Sequence, residues 1–293
     1  MRAYVAELAG TFILVFFGVG SVHAAVLCGA QSGLWQVAVV WGVAVAMAIY
    51  AFGAASGAHL NPAMTAAFAA FRKFPLRKVP GYMAAQLTGA VLAALVLYAL
   101  FGGMITHFEV THNITRGAAG SELSGMVYGE YFPNPGMAKA NGWSPEVVTV
   151  WTARLAEFIG TAFLAFFIFA ITDTHNNGKP GKKLLPLFIG LSVAIIISII
   201  APLTQAGLNP ARDFGPRLVA FFMGWGDIAI PGPRGGFFTV YILSPIAGGL
   251  LGGFLYGLLT DYRRVNPPVI GDVELKYDED DEEVEETVSS GKQ

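Results

Sequence analysis

The sequence predicts an all-α integral membrane protein with six transmembrane helices and two half-helices, arranged as an inverted repeat. Three observations predict this class. First, hydrophobic residues make up 54% of the 293 and charged residues only 13%, about half the charged share of a soluble protein. Half of the acids are also set apart, because 10 of the 20 lie between Asp272 and Glu286. A soluble enzyme needs more charge on its surface than the remainder provides, and a nucleic-acid binder needs a basic face. Second, six apolar stretches are each long enough to cross ~30 Å of hydrocarbon. Third, the chain repeats itself at nearly one offset. Ala6-Glu7-Leu8-Ala9-Gly10-Thr11 recurs as Ala156-Glu157-Phe158-Ile159-Gly160-Thr161, 150 residues on, and Leu60-Asn61-Pro62-Ala63 recurs as Leu208-Asn209-Pro210-Ala211, 148 residues on.

In chain order the spans fall at about 4–27, 34–54, 81–102, 148–171, 184–203 and 237–259. Apolar residues start at Ala3 and run past the length of a signal core, so the first stretch reads as a span. The first repeat covers about 3–102 and the second about 148–262. Each holds three spans, and an odd number forces the second copy to enter from the opposite face. Such folds place a solute path at the interface between repeats, near the midplane. The segment 103–147, rich in Gly, Pro, Asn and Ser, reads as an extramembrane loop. Residues 1–268 form one channel domain, and 269–293 form an acidic tail with too little apolar content to fold.

Orientation follows from Lys and Arg. Arg2, Arg72, Lys73, Arg77, Lys78, Lys179, Lys182, Lys183, Arg263 and Arg264 fall on one side, and Arg116, Lys139 and Arg234 on the other. That bias places both termini in the cytoplasm of a multi-pass protein of the cell membrane, with lipid as its surroundings. The single Cys28 excludes an intrachain disulfide and a cysteine metal cluster. The histidines show no metal-ligand spacing, so no cofactor, metal or catalytic residue is expected.

Between spans two and three, and again between five and six, lie apolar segments too short to span. Each opens on Asn-Pro-Ala. Proline suits the first position of a helix, and asparagine before it is a good cap. Asn61 and Asn209 therefore each start a half-helix of about 16 Å. In an inverted repeat the two helices meet at the centre, each N-terminus bearing about half a positive charge. That opposes cations and protons, while the Asn side chains offer N–H donors to a passing oxygen. The preceding segments, Gly57-Ala58-His59-Leu60 and Gln205-Ala206-Gly207-Leu208, are then non-helical at membrane depth, which is tolerated only in protein or along a wet cavity. Their carbonyls supply a row of acceptors.

Ser56-Gly57-Ala58-His59-Leu60-Asn61-Pro62-Ala63 and Asn209-Pro210-Ala211-Arg212-Asp213-Phe214-Gly215-Pro216-Arg217 resemble the major intrinsic proteins. The match is to their glycerol facilitator, or aquaglyceroporin, branch, and covers about residues 3–262. Asp213, Arg217, Pro245-Ile246 and Tyr131-Phe132-Pro133-Asn134-Pro135 carry the assignment to that branch. The resemblance implies an aquaporin-like fold, a homotetramer with one pore per subunit, and passage of glycerol, other small neutral solutes and water. It places Asn61 and Asn209 at the pore centre and Arg212 and Trp41 in a selectivity filter. The remaining filter positions are Ile197, where glycerol facilitators usually have glycine, and Ala206, where they usually have a large aromatic. The set Trp41, Ile197, Ala206, Arg212 looks more like that of the nodulin-26-like channels of plants. A broader pore for water, ammonia, urea or neutral metalloid hydroxides is therefore the alternative. The resemblance implies that Glu7 and Glu157 brace the loops before the half-helices, and Asp213 is expected to hold the second half-helix and the long loop. A coupled secondary transporter using the two glutamates as proton relays is the rival from another class.

Overall fold

The computed structural model describes residues 1–31 and 33–265. The acidic tail expected at 269–293 lies outside the described residues. Six described helices are long and apolar enough to cross a membrane. They are α1 (Arg2–Cys28), α2 (Leu34–Ser56), α4 (Val79–Thr111), α7 (Val150–Thr172), α8 (Leu185–Thr204) and α10 (Ser244–Val265), the last entered through the helical turns Phe238–Leu243. Two short helices, α3 (Pro62–Phe71) and α9 (Pro210–Ala220), follow the Asn-Pro pairs. Two more, α5 (Glu122–Gly125) and α6 (Pro135–Asn141), lie in the loop between the repeats.

The packing obeys the repeat. The neighbours α1–α2 and α1–α4 recur as α7–α8 and α7–α10, and α2 and α8 cross at the centre. Each half-helix leans on the other copy: α3 packs mainly on α10, and α9 on α4. The two copies therefore cannot come apart without unpacking both short helices. Small residues make the close crossings possible, as is usual between membrane helices. A Cβ at Gly42 would lie 2.5 Å from the Gly190 carbonyl oxygen, and one at Gly190 would lie 2.2 Å from that of Gly42.

The third span departs from its expected end. It continues to Thr111 rather than stopping near Gly102. The pair Gly102-Gly103 reads as a break, but tertiary packing overrides it. Ile105, Phe108 and Glu109 share one helical face and are buried. Ile105 joins a cluster with Val127, Tyr128, Val219 and Trp225. Glu109 is held by Arg116 at 2.8 Å and Ser124 at 2.8 Å. The long loop therefore begins at about 112, and it folds over the start of α9 instead of standing free.

Candidate channel and its constriction

The two half-helices meet end to end. Asn61 Oδ1 accepts from Ala63 N–H at 2.8 Å, and Asn209 Oδ1 accepts from Ala211 at 3.0 Å and Arg212 at 3.3 Å. Each cap also reaches across the junction. Asn61 Nδ2 donates to the Leu208 carbonyl at 3.0 Å, and Asn209 Nδ2 donates to the Leu60 carbonyl at 2.8 Å. A side-chain amide has two N–H donors. One hydrogen of each asparagine is thus spent on fixing the junction. The carbonyls of Leu60 and Leu208, expected as solute acceptors, line the cavity and also accept these junction bonds, with one lone pair of each still available.

The segments before the helices are braced from behind, and in the same way twice. Glu7 accepts from Ser56 Oγ (2.6 Å), His59 N–H (2.9 Å), Leu60 N–H (2.8 Å) and Gln86 Nε2 (2.7 Å). Glu157 accepts from Thr204 Oγ1 (2.6 Å), Gly207 N–H (2.9 Å) and Leu208 N–H (2.7 Å). Ser56 and Thr204 take the N–H of Ala58 and Ala206 in turn. In a trans peptide the N–H and the preceding C=O point opposite ways. Tying these amides back therefore turns the carbonyls of Gly57, Ala58 and His59, and of Gln205, Ala206 and Gly207, away from the braces. The backbone needed for this is costly: Ala58, Leu60, Gln205, Ala206 and Leu208 all have φ between 46° and 63°. Buried charge-assisted bonds offset that cost.

A narrow cavity runs along these segments. Its lining includes Ala58, His59, Leu60, Asn61, Ala206, Gly207, Leu208 and Asn209 from the braced segments and their caps, together with the apolar side chains of Leu14, Val45, Leu164 and Val193 from the spans. Trp41, Ile197, Ala206 and Arg212 line it together. At the end that carries the 112–149 loop it meets a vestibule of about 920 Å³, which shares Trp41, Ile197 and Arg212 and includes Gln205. At the other end it meets one of about 1110 Å³, lined by Gly57, His59, Lys182 and Lys183. A path with backbone acceptors, apolar side chains and donors at the middle suits a small, neutral, hydroxylated solute or water.

At the loop end a single cation, Arg212, lines the central cavity itself. The Arg212 guanidinium lies 4.5 Å from the Trp41 ring centroid, a stacking that suits its planar cation. Gly18 makes room for that ring, since a Cβ there would lie 2.2 Å from Trp41 Cε3. His59 sits by the other mouth with Nδ1 3.3 Å from Thr65 Oγ1 and its ring against Phe68, Phe74 and Tyr82. Asp213 accepts from Glu130 N–H at 2.7 Å and from Arg217 Nε at 2.9 Å, joining α9 to the long loop.

The profile of the family described as Major intrinsic protein matches residues 1–256. The chain belongs to this family. Its relatives include a glycerol uptake facilitator protein of Pseudomonas aeruginosa, 43% identical over 87% of each chain. A propanediol uptake facilitator of Citrobacter freundii is 41% identical over 87% of this chain and 90% of that one. The structure of an aquaglyceroporin from Plasmodium falciparum matches with a TM-score of 0.75, covering 90% of this chain and 98% of that chain at 23% identity. That likeness shows the same fold.

Within this family fold, sequence reasoning missed Glu130, Asn134 and the side chain of Gln205. Gln205 Oε1 accepts from Tyr131 N–H at 3.0 Å and its Nε2 donates to the Met126 carbonyl at 3.0 Å. Asn134 Nδ2 donates to the Ala201 carbonyl at 2.9 Å. Glu130 forms a buried ion pair with Arg212. A charge count held the signal for Glu130. The second half-helix buries Arg212, Asp213 and Arg217, two cations against one anion, and a buried cation needs a partner.

Proposed function

We propose that the protein is a passive transmembrane channel for glycerol and other small neutral solutes, water among them. One observation carries this reading: the cavity passes the paired Asn61 and Asn209 caps and continues into a vestibule at each end. The names of the relatives, uptake facilitators for glycerol and propanediol, agree with it. In this reading Trp41, Ile197, Ala206 and Arg212 form the selectivity filter, and the two asparagines the pore centre. The carbonyls of Gly57, Ala58, His59, Gln205, Ala206 and Gly207 serve as solute acceptors. Glu7, Glu157 and Asp213 brace the loops. The chain performs no chemistry and needs no cofactor. Both termini face the cytoplasm, on the Lys and Arg bias, so the 112–149 loop is external. The subunit works in a homotetramer in the lipid bilayer.

A glycerol molecule meets this path as a desolvation problem. Its hydroxyls lose water and need replacement partners, since an unpaired buried hydroxyl is expensive. Arg212, the carbonyls and the asparagine N–H groups replace them along one wall, while the carbon side faces Trp41 and aliphatic residues. Cations find no such replacement, and the two helix N-termini oppose them.

A second reading has support in the lining. Ile197 and Ala206 give the constriction one branched aliphatic wall and one nearly bare wall. That favours a broader pore, for water, ammonia, urea or neutral metalloid hydroxides, over strict glycerol selectivity. Stopped-flow permeability of proteoliposomes to water, glycerol, longer polyols, urea and ammonia separates the two. Glycerol flux equal to that of empty liposomes refutes the channel proposal. Uphill glycerol accumulation driven by a pH or Na⁺ gradient would establish a coupled transporter instead.

A further inference from the structure

Among the described residues, Arg212 is the one arginine or lysine lining the central cavity, and two of its guanidinium nitrogens already meet partners in the loop. Its Nη2 is in ionic contact with Glu130 Oε1, and its Nη1 lies 3.4 Å from the Tyr128 carbonyl oxygen. We propose that Glu130 is a positioning residue of the filter: its carboxylate holds the Arg212 guanidinium against the loop and Trp41, and so sets the width and charge of the constriction. The proposal rests on the channel reading above.

Three observations carry it. Glu130 and Arg212 both line the loop-end vestibule, where solute would approach the constriction. The Glu130 side chain is fully buried, and its Oε1 meets the Arg212 guanidinium. Glu130 is also anchored by its own backbone. Its N–H donates to Asp213 at 2.7 Å, and its carbonyl accepts from Arg217 Nη2. Both anchors belong to α9, the helix that carries Arg212. The carboxylate is therefore held at a fixed place relative to the Arg212 backbone, and the flexible arginine side chain is the member that adapts.

The consequence is steric and electrostatic at once. A charged group at membrane depth turns toward whatever water or partner it can reach. Without the Glu130 carboxylate, Arg212 keeps the long contact to Tyr128, and the wet lumen becomes its best remaining environment. The guanidinium then narrows the passage, and its charge is no longer balanced by a neighbouring anion. Glycerol, with the larger cross-section, loses more than water.

The test compares glycerol and water permeability per assembled channel in proteoliposomes for the parent chain, Glu130→Gln, Glu130→Asp, Arg212→Val and the double variant Glu130→Gln/Arg212→Val. Glu130→Gln should lower the glycerol-to-water ratio severalfold, and Glu130→Asp should recover part of it. Arg212→Val and the double variant should give equal ratios, because with no guanidinium there is nothing left to position. An unchanged ratio in Glu130→Gln overturns the proposal, as do effects of the two substitutions that multiply independently. Glu130→Gln keeps both backbone anchors. Should it still fail to assemble, Glu130→Ala, which also removes the carboxylate and keeps both backbone anchors, carries the test, and a parental ratio there overturns the proposal. Failure of the channel reading looks different, since the parent chain itself would then pass no glycerol.

Discussion

Replacing Glu157 by glutamine tests whether the carboxylate brace holds the second pore-lining segment. The carboxylate is buried and accepts three donors, Thr204 Oγ1, Gly207 N–H and Leu208 N–H. Glutamine offers one acceptor oxygen. Placed toward Thr204 and Gly207, it leaves the Leu208 N–H facing an amide NH₂. A stranded buried donor costs about 1–3 kcal/mol, and the two surviving bonds lose their charge assistance, which roughly halves them. The sum is about 2–5 kcal/mol, applied to a stretch whose Gln205, Ala206 and Leu208 already sit at positive φ. Such strain persists only where the surroundings over-determine it. Backbone hydrogen exchange in detergent reads the effect directly. At about 1.4 kcal/mol per factor of ten, local opening should speed exchange at Gly207 and Leu208 by about thirtyfold or more. Glycerol flux per channel should fall, because the carbonyls of Ala206 and Gly207 lose their orientation. Glu157→Ala, which strands all three donors, should be worse on both measures. Parental exchange rates and flux in Glu157→Gln would refute the reasoning.

Gly190→Ala should lower the thermal unfolding midpoint in detergent, by an overpacking cost of about 1–3 kcal/mol, since its Cβ would lie 2.2 Å from the Gly42 carbonyl oxygen. Gly102→Ala, with open space around it, is the control and should be neutral or stabilising by the usual helix preference for alanine. Asn209→Ala removes a cap and a cross-junction bond, about 1 kcal/mol from each source, and should raise proton leak in liposomes along with the loss of stability. Ala206→Phe should reduce passage of longer polyols before glycerol, and adding Ile197→Gly should restore glycerol flux. An unchanged polyol-to-glycerol ratio in both variants would remove Ala206 and Ile197 from the filter.

What could be read from the sequence was what is local or repeated. Asn-Pro carries its own helix start: a cap, a proline at the first position and a run of apolar residues. Glu7 and Glu157 stand out because a carboxylate recurring at one offset inside two apolar spans needs a reason. The end of α4 was not legible, because Gly102-Gly103 is a local break signal and only the packing of Ile105 and Phe108 overrides it. The junction bonds were not legible either. That Asn61 spends a hydrogen on Leu208, and Asn209 on Leu60, depends on two motifs 148 residues apart touching. Glu130 lies in a loop whose sequence looks solvated, and its importance comes from the cation it meets.

The inverted repeat by itself would give a pore with two equivalent halves, and the sequence breaks that equivalence just past the Asn-Pro pairs. Three residues beyond Asn209 stands Arg212; three residues beyond Asn61 stands Met64, and both line the cavity. One step further, Asp213 answers to Thr65. Thr65 stays neutral, bonding the Asn61 carbonyl at 3.0 Å and Gln86 at 3.0 Å, whereas Asp213 anchors Arg217 and the long loop. The fold therefore places helix N-termini and braced carbonyls symmetrically about the centre, but the stacked Arg212–Trp41 pair and the loop that contacts it occur at one end. The Met64 side chain, apolar beside the cavity, offers a hydroxyl no such donor. Discrimination among neutral solutes should concentrate where Trp41, Ile197, Ala206 and Arg212 converge, while opposition to cations belongs to the shared centre. A passive path stays reversible with such an asymmetry, because the same barrier is crossed in both directions.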